Sequence, residues 1–258
     1  MRSIRVFQPL PVRPARMFQA VTDPKEISAW QADSVQGRVT EGSMLQLAWP
    51  KLGVTLDLEV CELVPERRVV YGHGPARLEL NVTSGGVELI HTGPFDDDAA
   101  AGTESSWRVA LAILATYLGR HTHRPRRVHW ATARARGSAA LCHAYFTQAE
   151  LLSSWLGDTD TPLGNVGKRV CLTLAGGRTL SGPVIAHTEG RDLALRWREA
   201  DDSVLVLRTL PVSSDPHQRH VLVGWSRWSE LPDAANVTRE LDASVERLRR
   251  QLDRMANA

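Results

Sequence analysis

Apolar and polar positions alternate along this chain in short runs. In "VTLDLEV" (54–60), Val54, Leu56, Leu58 and Val60 share one face while Thr55, Asp57 and Glu59 share the other. That period of two is the pattern of a half-buried strand. "RLELNV" (77–82) alternates as cleanly, and "TSGG" then turns the chain into "VELIHT" (87–92), a hairpin signature. "SMLQLAW" (43–49) and residues 3–12 read as further strands. Two short helices are expected near 14–21 and 24–31. "FDDDAAAGTE" (95–104) reads as a solvated acidic loop without the acid spacing of a calcium site. A helix over about 104–118 follows, with Trp107, Leu111, Leu114 and Leu118 on one face and a stop before Gly119.

The same order then returns. "VHWATAR" (128–134) reads as a strand, followed by two short helices. "KRVCLTLAGGRTLSG" (168–182), "LALRW" (193–197) and "SVLVLRTLPV" (203–212) are expected to form strands, and a turn at "SSDPHQ" (213–218) leads into "RHVLVGWSRWS" (219–229). A closing helix over about 237–255 carries Leu241, Val245, Leu248, Leu252 and Met255 as its apolar stripe.

The repeat is also literal. "TDPKEISAW" (22–30) matches "TQAELLSSW" (147–155) at an offset of 125, pairing Thr22 with Thr147, Ser28 with Ser153 and Trp30 with Trp155. Asp23, Pro24 and Glu26 have the chemistry of a helix start. "TQAE" reads as a capping box in which Thr147 and Glu150 satisfy each other's amides. A second block aligns at offset 124, pairing Leu56 with Leu180, Val60 with Val184 and Arg67 with Arg191 around the turns "VPERR" and "TEGRD". Two blocks in the same order at nearly one offset imply a duplicated domain, since this period is too long for a solenoid unit. The expected division is a first domain over 1–122, a basic linker over 123–128 and a second, more divergent domain over 129–258.

Composition narrows the class. The chain has 258 residues, 43% hydrophobic and 23% charged, as in ordinary globular domains. Its longest apolar run, "VALAILATYLG" (109–119), is about half a membrane span. The N-terminus lacks the apolar core of a signal peptide. Cys61, Cys142 and Cys171 are scattered, which argues for reduced thiols and a cytoplasmic location rather than a disulfide framework. A net charge of +2, close to balanced in each half, excludes a dedicated nucleic-acid binder.

Eight tryptophans stand against four phenylalanines and three tyrosines. Tryptophan suits the wall of a partly polar cavity because its N–H needs a partner, although core packing is its commoner use. Trp30, Trp49, Tyr71, Trp107 and Leu111 are the candidate ligand contacts in the first copy. Trp155, Trp197 and Trp225, with Trp228 beside them, are those of the second. "GRHTHRPRR" (119–127) reads as a solvated interdomain linker; its cations could meet an anion, but its His-x-His lacks a third metal ligand. "GNVGKR" (164–169) has the wrong spacing for a phosphate loop. His91 and His187 would be general bases only if they faced a cavity. No catalytic set, metal site or cofactor motif emerges, and no oligomeric state is fixed.

Strand, two short helices, antiparallel sheet and a long last helix is an α+β order that resembles the START-like (SRPBCC) superfamily. The nearest branch is similar to the activator of the heat-shock-protein-ninety ATPase, on "TDPKEISAW" and "LEVCELVPERRVVY" (58–71). The resemblance covers residues 3–119 well. Over about 128–255 it is weaker, with no tryptophan to match Trp107 and with "GWSRW" before the last helix. It implies two tandem helix-grip domains, each a curved antiparallel sheet wrapped around a long C-terminal helix. It also implies an apolar cavity between sheet and helix, and hence a non-catalytic binder of a small apolar ligand. The alternatives are a protein-interaction module like the co-chaperone and a cyclase- or hydrolase-like enzyme. The candidate partners are thus an apolar small molecule and a protein.

Overall fold

The computed structural model describes residues 1–159, 161–212 and 214–256. The chain divides into two compact units, Met1–Arg127 and Val128–Ala258. The first contains β1 (Arg2–Pro9), α1 (Pro14–Thr22), α2 (Pro24–Ser28), β2 (Ser34–Gly37), β3 (Met44–Trp49), β4 (Val54–Val64), β5 (Arg68–His73), β6 (Ala76–Thr83), β7 (Gly86–Gly93) and α3 (Asp97–Arg120). The second contains β8 (Arg127–Arg136), α4 (Ala139–Thr147), α5 (Ala149–Ser153), β9 (Gly157–Asp158), β10 (Arg169–Leu174), β11 (Thr179–Thr188), β12 (Asp192–Trp197), β13 (Ser203–Val212), β14 (Asp215–Arg227) and α6 (Ala234–Met255).

Both units form a seven-stranded antiparallel sheet of one topology. Its order is β1-β7-β6-β5-β4-β3-β2 in the first and β8-β14-β13-β12-β11-β10-β9 in the second. The α+β tandem helix-grip expectation is therefore the observed architecture.

The repeat extends to single hydrogen bonds. The Trp30 indole N–H donates to the Ala20 carbonyl at 2.9 Å, and that of Trp155 to the Tyr145 carbonyl at 2.8 Å. Acceptors and donors are both 125 residues apart. Each bond ties the tryptophan after the second short helix to the end of the first. The long central strand also breaks at the same place. β4 shifts register on β5 between Val60 and Glu62, and β11 shifts on β12 between Val184 and Ala186. The N–H groups of Gly42 and Gly167 donate to the Val60 and Val184 carbonyls, both at 2.8 Å. A bulge bends its strand and increases local twist, so the matched bulges curl both sheets in the same way.

Several local expectations need correction. The acidic stretch is the start of α3 rather than a loop. The Asp96 carboxylate caps it by accepting from Ala99 N–H at 2.8 Å, and Asp97 and Asp98 occupy the first turn, where negative charge meets the helix dipole. The helix also runs through Gly119 to Arg120. Asp23 caps α2 through the Lys25 N–H at 2.8 Å, but "TQAE" forms no capping box. The Thr147 hydroxyl instead donates to the His143 carbonyl at 3.0 Å, and Gln148 takes the cap position of α5 without a side-chain bond. α6 begins earlier, at Ala234, and Met255 is exposed while Leu241, Val245, Leu248 and Leu252 are buried. Ser213, in the "SSDPHQ" turn, lies outside the described residues, and β14 already begins at Asp215.

The basic stretch is not solvated throughout. His121 and the Arg126 side chain are buried in the first unit. Arg126 donates to the Trp30 carbonyl at 2.6 Å, and burial lowers its pKa to about 10 against the opposing pull of Asp33. His123 Nδ1 lies 3.0 Å from buried Glu26. That carboxylate also accepts from Arg16 at 2.6 Å and from the Tyr117 hydroxyl at 2.7 Å. Burial first, and then the bond to Glu26, raise the Tyr117 phenol to about 12.

Candidate ligand cavity

The first domain encloses a cavity of about 230 Å³. Its floor follows from strand alternation. Leu45 and Leu47 on β3, Leu56 and Leu58 on β4, and Leu78 and Leu80 on β6 line it. The register places Leu45 opposite Leu58 and Leu47 opposite Leu56, with Tyr71 of β5 opposite Leu78. Val21, Ile27 and Trp30 from the short-helix region, Phe95 before α3, and Trp107 on α3 complete the wall. Gly93 makes room for Phe95, since a Cβ there would come within 2.7 Å of the Phe95 ring.

The polar ends of two aromatic walls are satisfied by backbone. The Tyr71 hydroxyl donates to the Val21 carbonyl at 2.8 Å, and burial pushes its pKa far upward. The Trp30 N–H is held by Ala20. These rings therefore act as apolar walls. The remaining polar lining is Gln31, His73 and His91. His91 Nδ1 accepts from the Trp107 indole N–H at 3.0 Å, and its ring meets Phe95 edge-on at a centroid distance of 5.0 Å. Burial, aided by nearby His73, lowers the His91 pKa. The His73 ring meets the Asp57 carbonyl through Nδ1 at 2.8 Å.

Of the residues singled out in the sequence, Trp30, Tyr71 and Trp107 line this cavity and Trp49 and Leu111 do not. Trp49 is half-buried and donates to the Gln31 carbonyl at 3.2 Å. Leu111 is fully buried in the core. In the second domain Trp155, Trp197 and Trp225 lie together in the hydrophobic core, each fully buried. Their bulk does not demand a wet cavity, because the fold supplies acceptors: the Trp225 N–H donates to the Ser203 hydroxyl at 3.0 Å, as Trp155 does to Tyr145. The leucine floor could have been read from the alternation of β3, β4 and β6. Phe95, Gln31 and His73 had no such signal. Among the described residues, no group of three or more His, Cys, Asp or Glu is placed to hold a metal. No described helix is long and apolar enough to cross a membrane.

His187 meets His143. Their Nε2 atoms are 2.9 Å apart and the rings are stacked, so one ring donates and the other accepts. Burial first, and then His187, hold His143 below its ordinary value of 6.5, against smaller opposing effects of Glu189 and Asp192. The unfolded chain thus takes up protons that the folded domain resists. Stability contributed by neutral His143 is present above about pH 6.5 and is lost as pH falls through its lower folded value. Urea unfolding of the second domain is expected at lower midpoints on going from about pH 7.5 to about 5.5. His143→Phe, which installs the residue found at the matched Phe18, is expected to flatten that dependence. Equal slopes in both proteins would refute this role for the pair.

Residues 11–119 match the family described as Activator of Hsp90 ATPase homolog 1-like protein. No curated protein matches the chain. Among solved structures, the chain is similar to DynU16, described as a putative protein of the dynemicin biosynthetic locus, at 18% identity over 97% of this chain and 98% of that one, with a TM-score of 0.42. It is similar to the Aha1 dimer from Colwellia psychrerythraea at 21% identity over 46% of this chain and 96% of that one, with a TM-score of 0.41. It is also similar to BexL, a di-domain ARO/CYC protein of the BE-7585A pathway, at 13% identity over 100% and 94%, with a TM-score of 0.41. The family match thus falls within the first unit, and the second unit repeats that unit's sheet topology.

Proposed function

We propose that the first domain binds a small, largely apolar molecule between its sheet and its helices, and that the second domain is a packed structural copy. The observation that carries this reading is the cavity of about 230 Å³ with leucine and aromatic walls. A cavity of about 150 Å³ with such walls accepts benzene. The space here therefore suits a molecule of about two fused rings, at the small end of ligand sites. Trp107, Phe95 and His91 are only partly buried, which gives the cavity a mouth.

Calorimetric titration of the full chain with 2-methylnaphthalene tests this. Binding is expected in the unaltered protein. Leu58→Trp should weaken it by at least about 30-fold by filling the cavity. The fold should survive the larger ring, because overpacking costs about 1–3 kcal/mol only where no void receives the added atoms. No heat of binding to the unaltered protein, or equal binding to both proteins, would overturn the proposal.

A further inference from the structure

Two histidines line the cavity, and the structure commits one nitrogen of each. The Trp107 indole N–H can only donate, so His91 Nδ1, 3.0 Å away, must be the bare nitrogen. Neutral His91 then carries its proton on Nε2. The Asp57 carbonyl can only accept, so His73 Nδ1, 2.8 Å from it, must carry the proton. Neutral His73 therefore has a bare Nε2. Both rings border the cavity, one with a donor nitrogen and the other with an acceptor nitrogen, and neither has a second hydrogen-bond partner among the described residues.

We infer that the ligand is an uncharged hydroxyl-bearing aromatic of the naphthol class, its hydroxyl accepting from His91 Nε2–H and donating to His73 Nε2. This rests on the cavity reading above. A hydroxyl is the small neutral group that both gives and takes a hydrogen bond. The flat walls of Trp30, Tyr71 and Trp107 suit fused rings, since aromatic faces favour offset or edge contacts. Burial is the first cause of the lowered His91 pKa and favours the neutral ring, whose tautomer the Trp107 bond then fixes.

The experiment is calorimetric titration of the full chain at neutral pH with 2-naphthol, 2-methoxynaphthalene and 2-methylnaphthalene. These share a ring system and offer a donor plus acceptor, an acceptor alone, and neither. The expected order of affinity is naphthol, then methoxy, then methyl, with about tenfold between the extremes, the size of one to two neutral hydrogen bonds. His91→Phe and His73→Phe should each lower naphthol affinity toward that of 2-methylnaphthalene and leave the latter within about twofold. If His91→Phe also weakens 2-methylnaphthalene, through the lost Trp107 bond, His73→Phe at the exposed rim decides. Equal affinity for naphthol and methylnaphthalene, or naphthol binding unchanged in His73→Phe, would overturn this inference and leave the cavity reading standing. Failure of all three to bind would overturn both.

Discussion

Glu26→Gln is expected to destabilise the first domain by about 3–5 kcal/mol, the range for removing one partner of a buried ion pair. Glu26 is 5% exposed. Its carboxylate accepts from Arg16, Tyr117 and His123 at 2.6, 2.7 and 3.0 Å. Gln has one acceptor oxygen where the carboxylate has two, and its NH2 would face groups that are themselves donors. Arg16 already has buried Nε and Nη1 atoms without partners, so its charge would be left uncompensated. The loss should appear as faster amide exchange over residues 14–28, with residues 139–153 of the second domain unchanged. A second readout is chemical: with the bond to Glu26 gone, the Tyr117 phenol should titrate below its present value of about 12. Ultraviolet titration of tyrosinate would follow it. A change under about 1 kcal/mol would show that the cluster is solvated in solution, as exposed pairs are.

Trp155→Ala is expected to cost the second domain about 3–5 kcal/mol, the usual price of truncating a large core aromatic. The ring is fully buried among the core residues of that domain, and its N–H is bonded to Tyr145. Truncation removes the clip between the two short helices and leaves a void. Trp30→Ala removes the matched clip but should cost less, because one side of Trp30 already borders the cavity and fewer packed atoms lose a neighbour. Urea unfolding followed by domain-resolved amide exchange gives both numbers, and the comparison matters more than either value. Equal losses would mean that the first interior is as closely packed in solution as the second, and the cavity reading would fall with it.

Much of the architecture was legible because it rests on local chemistry that recurs. The tryptophan after each pair of short helices, the proline- or glycine-bounded turns and the period-2 strands each bias a few neighbouring residues toward one backbone course. A duplicated domain repeats those biases at a fixed offset. The corrected details are those in which a side chain had two local options. Thr147 faced a choice between capping the next helix and bonding back to His143. "FDDDAAAGTE" had the composition of a solvated loop and equally of a capped first turn, and the helix behind it tipped the balance.

The candidate site divides along the same line. Trp30, Tyr71 and Trp107 could be picked from residue type, and the leucine floor from alternation. By itself the sequence determined two tandem helix-grip domains, the apolar face of the strand over 54–60, and a set of candidate aromatic residues. Only the tertiary structure decided that about 230 Å³ stays open in the first copy and that Trp155, Trp197 and Trp225 are fully buried in the core of the second. It alone also bonded His91 to Trp107 and His73 to the Asp57 carbonyl, pairs 16 residues apart in sequence. The physical reason is that inward-facing patterns specify what is buried, whereas filling a volume and committing a ring nitrogen depend on distances between elements that no single segment contains.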